Sequence, residues 1–168
     1  MTKLNNFLMV ITAILAYQFG NVAFAQDVMR VAPDFDLPGK QANVKLSNSK
    51  DKLIYLDFWA SWCGPCKQSF PWMNAMQEKY QSQGFEVIAV NLDSHNDDAQ
   101  KFLATTPAKF TVAFDSKGQT PRLYGVKGMP TSYLIGRDGK IIMQHMGFNA
   151  VDRDTLEQKI KVLLEEKK

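Results

Sequence analysis

The sequence contains few of the residues that cross-link small domains, hold metal ions or bind nucleic acids. Among its 168 residues are only two cysteines and two histidines. Lys plus Arg total 20 against 17 for Asp plus Glu, and no basic cluster accompanies the net charge of +3. Nucleic-acid binding is therefore not expected. A structural zinc site needs four ligands, and one cysteine pair with two scattered histidines does not predict one.

Long apolar runs are also lacking, except at the very start of the chain. Residues 1–25 carry a single charge, on Lys3, then an apolar run over 7–17 and small residues up to Ala25. This order predicts a signal peptide that is cleaved after Ala25, with export to the periplasm. The alternative is an inner-membrane anchor formed by residues 7–24, although a span needs about 20 apolar residues and polar side chains interrupt this run early.

The remaining residues, 26–168, show no internal repeat and no low-complexity linker, which predicts one domain. Apolar runs of strand length alternate with helical patterns, and this alternation favours an α/β fold. Pro71 predicts a kink inside its helix, and Gly84 predicts the end of that helix. A small strand or hairpin is expected within residues 31–46. Strands are predicted at 53–60, 85–92, 110–114, 131–135 and 140–146, and helices at 63–83, 96–105, around 120–124 and from a cap at Asp152.

Cys63 and Cys66 follow a predicted buried strand and open the first long helix. A disulfide that closes so short a loop stabilises little, so a pair of this spacing indicates chemistry rather than cross-linking. Backbone N–H groups and the helix dipole stabilise a thiolate at such a position and lower the pKa of the thiol. Cys63 is thus predicted to be the exposed nucleophile that attacks a disulfide, and Cys66 to resolve the product. Gly64 and Pro65 suit the tight turn into the helix.

Five stretches of the sequence resemble one family. LDFWASWCGPCK (56–67) is similar to the active site of thioredoxin. APDFDLPG (32–39), FPWM (70–73), EVIAVNLD (86–93) and GMPTSYLIGRDGKI (128–141) resemble exported TlpA-like and ResA-like thioredoxin-fold proteins. The resemblance runs from about residue 32 to the end of the chain.

The resemblance implies a thioredoxin-like fold of the α/β class, with a central mixed β-sheet flanked by helices. An N-terminal β-hairpin extension and a strand-helix insertion at about 93–114 are expected with it. It also implies a thiol-disulfide oxidoreductase that needs no cofactor beyond the redox-active disulfide of Cys63 and Cys66.

Asp57 stands in the middle of an apolar strand, where burial raises the pKa of a carboxyl group. By resemblance it is the buried acid beneath the disulfide, and it acts as general base for Cys66. The alternative is an Asp at the edge of the sheet that reaches solvent.

The resemblance also implies a substrate-binding surface beside the cysteines. Pro130 matches the cis-proline loop that faces the pair, and Met129 before it offers its main chain to an extended peptide. Trp62 is the candidate for a surface aromatic that shapes the approach of the substrate, with simple packing as the alternative. Gly64 and Pro65 complete this predicted surface.

Several functions remain open at this point. A disulfide reductase is favoured because the Gly-Pro dipeptide resembles that of thioredoxin, which lies at the reducing end of the scale. Its expected partners are protein disulfides and a membrane thiol reductant of the DsbD or CcdA type, and the chain is expected to be a monomer. An oxidase, an isomerase and a Cu(I)-binding chaperone with His95 or His145 as third ligand are the alternatives. Peroxidases of similar sequence need a Thr three residues before the cysteine, where this chain has Ala60.

Two departures from the exported relatives concern proton handling. Many of them carry Glu three residues after the second cysteine, where this chain has Ser69. ResA-like members often lack an acid at the position of Asp57. Cytochrome c maturation is therefore not specifically predicted.

Overall fold

The computed structural model describes residues 30–166. The predicted signal peptide, its cleavage after Ala25 and the alternative anchor at 7–24 lie outside the described residues. Within 30–166 no helix is both long enough and apolar enough to span a bilayer. The strands are β1 (Asp36–Leu37), β2 (Val44–Lys45), β3 (Leu53–Trp59), β4 (Phe85–Asn91), β5 (Thr111–Phe114), β6 (Thr131–Ile135) and β7 (Ile141–Met146), and the α-helices are α1 (Gly64–Tyr80), α2 (Asn96–Thr105), α3 (Gln119–Tyr124) and α4 (Ala150–Glu165).

The fold is a five-stranded mixed sheet in the order β5-β4-β3-β6-β7, with helices on both faces. β3 lies at the centre, parallel to β4 and antiparallel to β6. It is buried along its whole length because both of its faces are covered. Its odd-numbered apolar residues face α1, α2 and α4, and its even-numbered ones face α3 and the N-terminal segment. The predicted α/β thioredoxin-like fold is confirmed.

The insertion predicted at 93–114 is the segment that holds α2 and β5. β5 pairs in parallel with β4 and forms one edge of the sheet. Phe102 of α2 contacts both Trp59 and Phe70, with ring centroids 4.9 and 5.0 Å apart. The insertion therefore packs against the strand and the helix that flank the cysteine pair.

The bounds of two helices refine the predictions. Pro71 lies inside α1, which continues through it to Tyr80 and then through a short 3-10 turn to Gly84. Gly84 has a φ of 83°, the left-handed conformation that ends a helix. The predicted cap of α4 was wrong: Asn149, not Asp152, is the N-cap. Asp152 is the third helical residue, and its carboxylate accepts a hydrogen bond of 2.6 Å from the Asn149 N–H, which completes a capping box.

Residues 30–39 form a strap that crosses one face of the sheet from edge to edge. At one edge the N–H of Ile141 donates to the carbonyl of Arg30 over 2.9 Å. At the other edge the N–H of Phe114 donates to the carbonyl of Pro38 over 2.8 Å. The predicted N-terminal hairpin is present as β1 and β2, at the far end of the strap.

Candidate active site

Cys63 is the N-cap of α1. Its Sγ accepts a hydrogen bond of 3.3 Å from the backbone N–H of Cys66, to which it is also joined by a disulfide. In most helices a Ser, Thr, Asp or Asn oxygen fills this position, where free N–H groups and the positive end of the helix dipole meet. Pro65 lies in the first turn, where its missing N–H costs no helical hydrogen bond. The local sequence thus places a sulfur atom where negative charge is most favourable.

The two cysteines differ in solvent accessibility, although less than expected. Cys63 was predicted to be exposed, and this was wrong for the disulfide form, in which only 5% of it is accessible. Its Sγ turns inward to cap the helix, which covers most of the sulfur. Cys66 is fully buried, so Cys63 is still the cysteine that an incoming disulfide can reach. Trp62, directly before it, is 73% exposed, which places this ring at the surface.

Asp57 is buried inside the protein, with 1% of its surface accessible to solvent. It lies on β3 between Tyr55 and Trp59 and therefore points to the face covered by α1, the face that also contains Cys66. Its Oδ2 has no hydrogen-bond partner among the described residues. Burial raises the pKa of this carboxyl group well above its usual value. The alternative of an edge Asp that reaches solvent was wrong.

The loop before β6 reaches the same end of the sheet. The peptide bond between Met129 and Pro130 is cis. Thr131, the next residue, is the Cα partner of Phe58 near the carboxyl end of β3. Pro130 therefore lies beside the point where the chain leaves β3 for Cys63. Met129 is partly buried against the apolar cluster that contains both cysteines.

Gly64 has a different role from the one inferred from the turn. It is the first residue of α1, and its φ is not in the left-handed region. Apart from its two chain neighbours and the nearby backbone of α1, no atom of the described residues lies within 4 Å of a Cβ added there. The turn into the helix therefore does not require glycine. The absent side chain instead leaves open space next to Cys63.

Sequence reasoning missed a carboxylate that fixes the loop before the nucleophile. The buried carboxylate of Asp93 accepts hydrogen bonds from the Ser61 N–H over 3.0 Å and from the Ser61 Oγ over 3.1 Å. It also accepts one from Asn91 Nδ2 over 2.8 Å. The signal was available, because Ser61 follows β3 and Asp93 follows β4, and the carboxyl ends of neighbouring parallel strands meet at one edge.

Among the described residues, neither histidine forms a metal-binding group with the cysteine pair. His95 is exposed at the start of α2, and His145 lies on β7. Within 30–166 no three His, Cys, Asp or Glu side chains form a group that could hold a metal ion. Neither histidine was found beside the sulfur atoms as a third ligand for copper.

A cysteine pair that opens the helix after the central strand, with a cis-proline loop at the same end of the sheet, is the arrangement of thioredoxin-fold thiol-disulfide oxidoreductases. Comparison with known proteins gives the same class. The chain belongs to the AhpC/TSA family, whose model matches residues 28–144.

Individual relatives agree with this assignment. The thiol-disulfide oxidoreductase ResA of Bacillus thuringiensis is 36% identical over 138 residues, which are 80% of this chain and 78% of the relative. ResA of Bacillus subtilis is 34% identical over 142 residues, 80% of this chain and 78% of the relative. A crystal structure from Chlorobium tepidum, assigned as a thiol:disulfide interchange protein DsbE, is 66% identical, with a TM-score of 0.79. The match covers 80% of this chain and 95% of the chain in the crystal structure. The protein is a thiol-disulfide oxidoreductase.

Proposed function

We propose that the protein is an exported disulfide reductase. Cys63, as a thiolate, attacks a protein disulfide, and a mixed disulfide forms as the first substrate thiolate leaves. Cys66 then attacks Cys63, which releases the second substrate thiolate and closes the Cys63–Cys66 disulfide. A membrane thiol reductant of the DsbD or CcdA type returns the pair to the dithiol. No cofactor takes part, because the cysteine pair carries both electrons.

Asp57 supplies the base for the resolving step. Cys66 must lose its proton before it can attack, and it is fully buried, so water cannot reach it directly. The carboxyl group of Asp57 lies on the same side of the sheet, with one oxygen free of hydrogen bonds. A raised pKa allows a carboxylate to accept a thiol proton near neutral pH.

The observation that carries the direction of the reaction is the balance of charge around the sulfur atoms. Strong oxidants such as DsbA owe their high potential to a stabilised reduced form. Here Cys63 Sγ accepts one backbone hydrogen bond, and both cysteines and the Asp57 carboxyl group on the same face of the sheet are buried. Burial of this kind disfavours any negative charge at the site, thiolate charge included, and so favours the disulfide. A pair whose disulfide is favoured is a reductant.

The reduction potential of the pair tests this proposal. The protein is equilibrated in glutathione and dithiothreitol buffers, and tryptophan fluorescence reports the redox state, because Trp59 lies in the same cluster as both cysteines. We expect a value near that of thioredoxin, about −270 mV. A value near that of DsbA, about −120 mV, would make the protein an oxidase or isomerase instead.

The substrate is proposed to lie across Trp62, Gly64, Pro65 and the Met129–Pro130 loop. Trp62 and Gly64 are the chain neighbours of Cys63, the Met129–Pro130 loop reaches the same end of the sheet, and the open space beside Gly64 leaves room for a backbone to approach. Extended peptides commonly bind such a site through main-chain hydrogen bonds, with side-chain contacts that add specificity.

Replacing Trp62 with Ala tests this surface. Because exposed aromatic residues dominate many interfaces, we expect kcat/KM for a protein disulfide to fall about tenfold, as for a loss of about 1.4 kcal/mol. The rate with a small disulfide should stay close to that of the parent. Val31→Ala is the matched control, since Val31 is 66% exposed but pairs with Lys140, at the other end of β7 from the cis-proline loop. Equal losses on both substrates would assign Trp62 to the stability of the site instead.

The proposed function includes export to the periplasm and a range of client proteins. The mature chain is expected to begin at Gln26, and the protein to act as a monomer in the periplasm. The proposal includes apocytochrome c as one client class, because ResA-like proteins include reductases of cytochrome maturation. Asp57 and Ser69 depart from those proteins, so a broader range of protein disulfides is proposed.

A further inference from the structure

A row of polar side chains crosses the otherwise apolar face beneath α1. Asp57 on β3 is the Cα partner of Ser132 on β6, and Ser132 is the partner of His145 on β7. Directly paired residues of antiparallel strands point to the same face, with Cβ atoms about 4.5–5.5 Å apart. Ser132 is buried like Asp57, whereas the side chain of His145 is 25% exposed. The row therefore leads from a sealed carboxyl group to a ring that reaches solvent.

The outer end of the row meets α4. Nε2 of His145 lies 3.4 Å from Oδ1 of Asp152, but the two do not have hydrogen-bond geometry. The other oxygen of Asp152 accepts the N–H of Asn149. His145 Nε2 and Asp57 Oδ2 are thus both buried atoms without a hydrogen-bond partner among the described residues. Each end of the row has an atom free to take or give a proton.

The other groups that face the row are few. Tyr55 of β3 interacts with Ser132 through its hydroxyl, and burial, followed by the charge of Asp57, raises its pKa so that it stays neutral. α1 contributes Trp72, whose ring lies against Tyr55 and whose Nε1 has no hydrogen-bond partner in the part of the chain that the structure describes. Among residues 30–166, the ionisable groups of the row and beside it are Asp57, Tyr55, His145 and Asp152, together with the reduced cysteine pair on the same face.

We propose that Ser132 and His145 transfer protons between Asp57 and solvent during turnover. This inference rests on the proposed function, in which Asp57 takes the proton of Cys66. A hydroxyl group both donates and accepts, so Ser132 can receive a proton on one side while it passes its own to the other. An imidazole ring can both donate and accept a proton, and the side chain of His145 is partly exposed to solvent. Such groups would otherwise be costly on this apolar face.

The resolving step conserves protons and electrons. In the mixed disulfide, Cys66 gives its proton to Asp57 and attacks the sulfur of Cys63. The bond between the two cysteine sulfurs forms as the bond from Cys63 to the substrate sulfur breaks, and the substrate leaves as a thiolate. The proton passes from Asp57 to Ser132, while the hydroxyl proton of Ser132 passes to His145, which releases a proton to water. The departing thiolate takes up a proton from water, so the cysteine pair is oxidised and the substrate is reduced by two electrons.

Stopped-flow kinetics with Ellman's reagent separate this step from the first attack. The reduced protein releases one thionitrobenzoate when Cys63 attacks and a second when Cys66 resolves the mixed disulfide. For His145→Ala and His145→Gln we expect an unchanged first release and a second release at least about tenfold slower, since positioned proton transfer contributes about a hundredfold or more. Imidazole should restore the second release in His145→Ala, where it can enter the vacated space, and should not in His145→Gln. Ser132→Ala should also slow the second release.

The controls separate the inference from the function on which it rests. His95→Gln, a change in the chain's other histidine, should leave both releases unchanged. If Asp57→Asn slows the second release but the Ser132 and His145 variants do not, the proton path is wrong and the base is retained. If Asp57→Asn has no effect, both are wrong. A slower second release that imidazole does not restore, with the same pH dependence as the parent, would show that His145 only supports the structure.

Discussion

Asp57→Asn is expected to raise the free energy of unfolding of the oxidised protein at neutral pH while it slows the resolving step. In the folded protein, burial raises the pKa of Asp57 well above the value of 3.8 that it has when exposed. Between those two pKa values the folded protein holds a proton that the unfolded chain has released. Folding stability therefore falls as pH rises through this window, by about 1.4 kcal/mol for each pH unit. Asn cannot ionise, so the variant avoids this loss.

The difference in unfolding free energy between parent and variant should depend on pH. Parent and variant should have similar unfolding free energies below the unfolded pKa of 3.8, and the variant should gain steadily above it. Urea unfolding of the oxidised forms over a series of pH values measures the difference. Asp138→Asn is the contrasting control, because the backbone N–H of Lys140 lowers the pKa of Asp138, and its loss should not stabilise the protein. If the difference between parent and Asp57→Asn does not change with pH, the carboxyl group is not held in a raised-pKa state.

Cys66→Ser is expected to convert the protein into a trap for its substrates. Cys63 can still attack a disulfide, but no thiol remains to resolve the mixed disulfide, so the covalent complex accumulates. Turnover should fall to background, and mass spectrometry of the non-reduced protein should show the substrate attached to Cys63.

Cys63→Ser is the matched control, since it leaves only the fully buried Cys66. It should also abolish turnover, but without accumulating an adduct. An adduct on Cys66 in this variant would show that the assigned order of attack is reversed. Continued release of reduced substrate by Cys66→Ser would show that resolution does not depend on the second cysteine.

Much of the fold could be predicted because its signals are local. The run LIYLDFWA has the length and aromatic content of a buried strand, and α2 was predicted with the bounds that it has. The cis bond before Pro130 was predicted from resemblance rather than from composition. The cap of α4 was predicted wrongly because Asn149 and Asp152 are both good capping residues, and only the hydrogen bonds decide between them.

The parts of the site that were missed depend on contacts between distant segments. The hydrogen bonds between Asp93 and Ser61 join two loops that follow different strands. The row from Asp57 to His145 depends on the register of β6 and β7, which shifts at a bulge between Leu134 and Ile135. A shift of one residue moves each side chain to the other face, so the alternation within β7 alone could not place His145.

The strap constrains the order in which the chain can fold. Residues 30–32 are synthesised well before their hydrogen-bonding partners at 139–141. A contact across so long a loop carries a large closure entropy, and contacts of this kind form late. Until residues 139–141 have been synthesised, β7 cannot complete that edge of the sheet, and residues 30–32 have no hydrogen-bonding partners there. Closure of the strap therefore waits until residues 139–141 have been made, and shorter nascent chains keep the open strand edges that favour association with other chains.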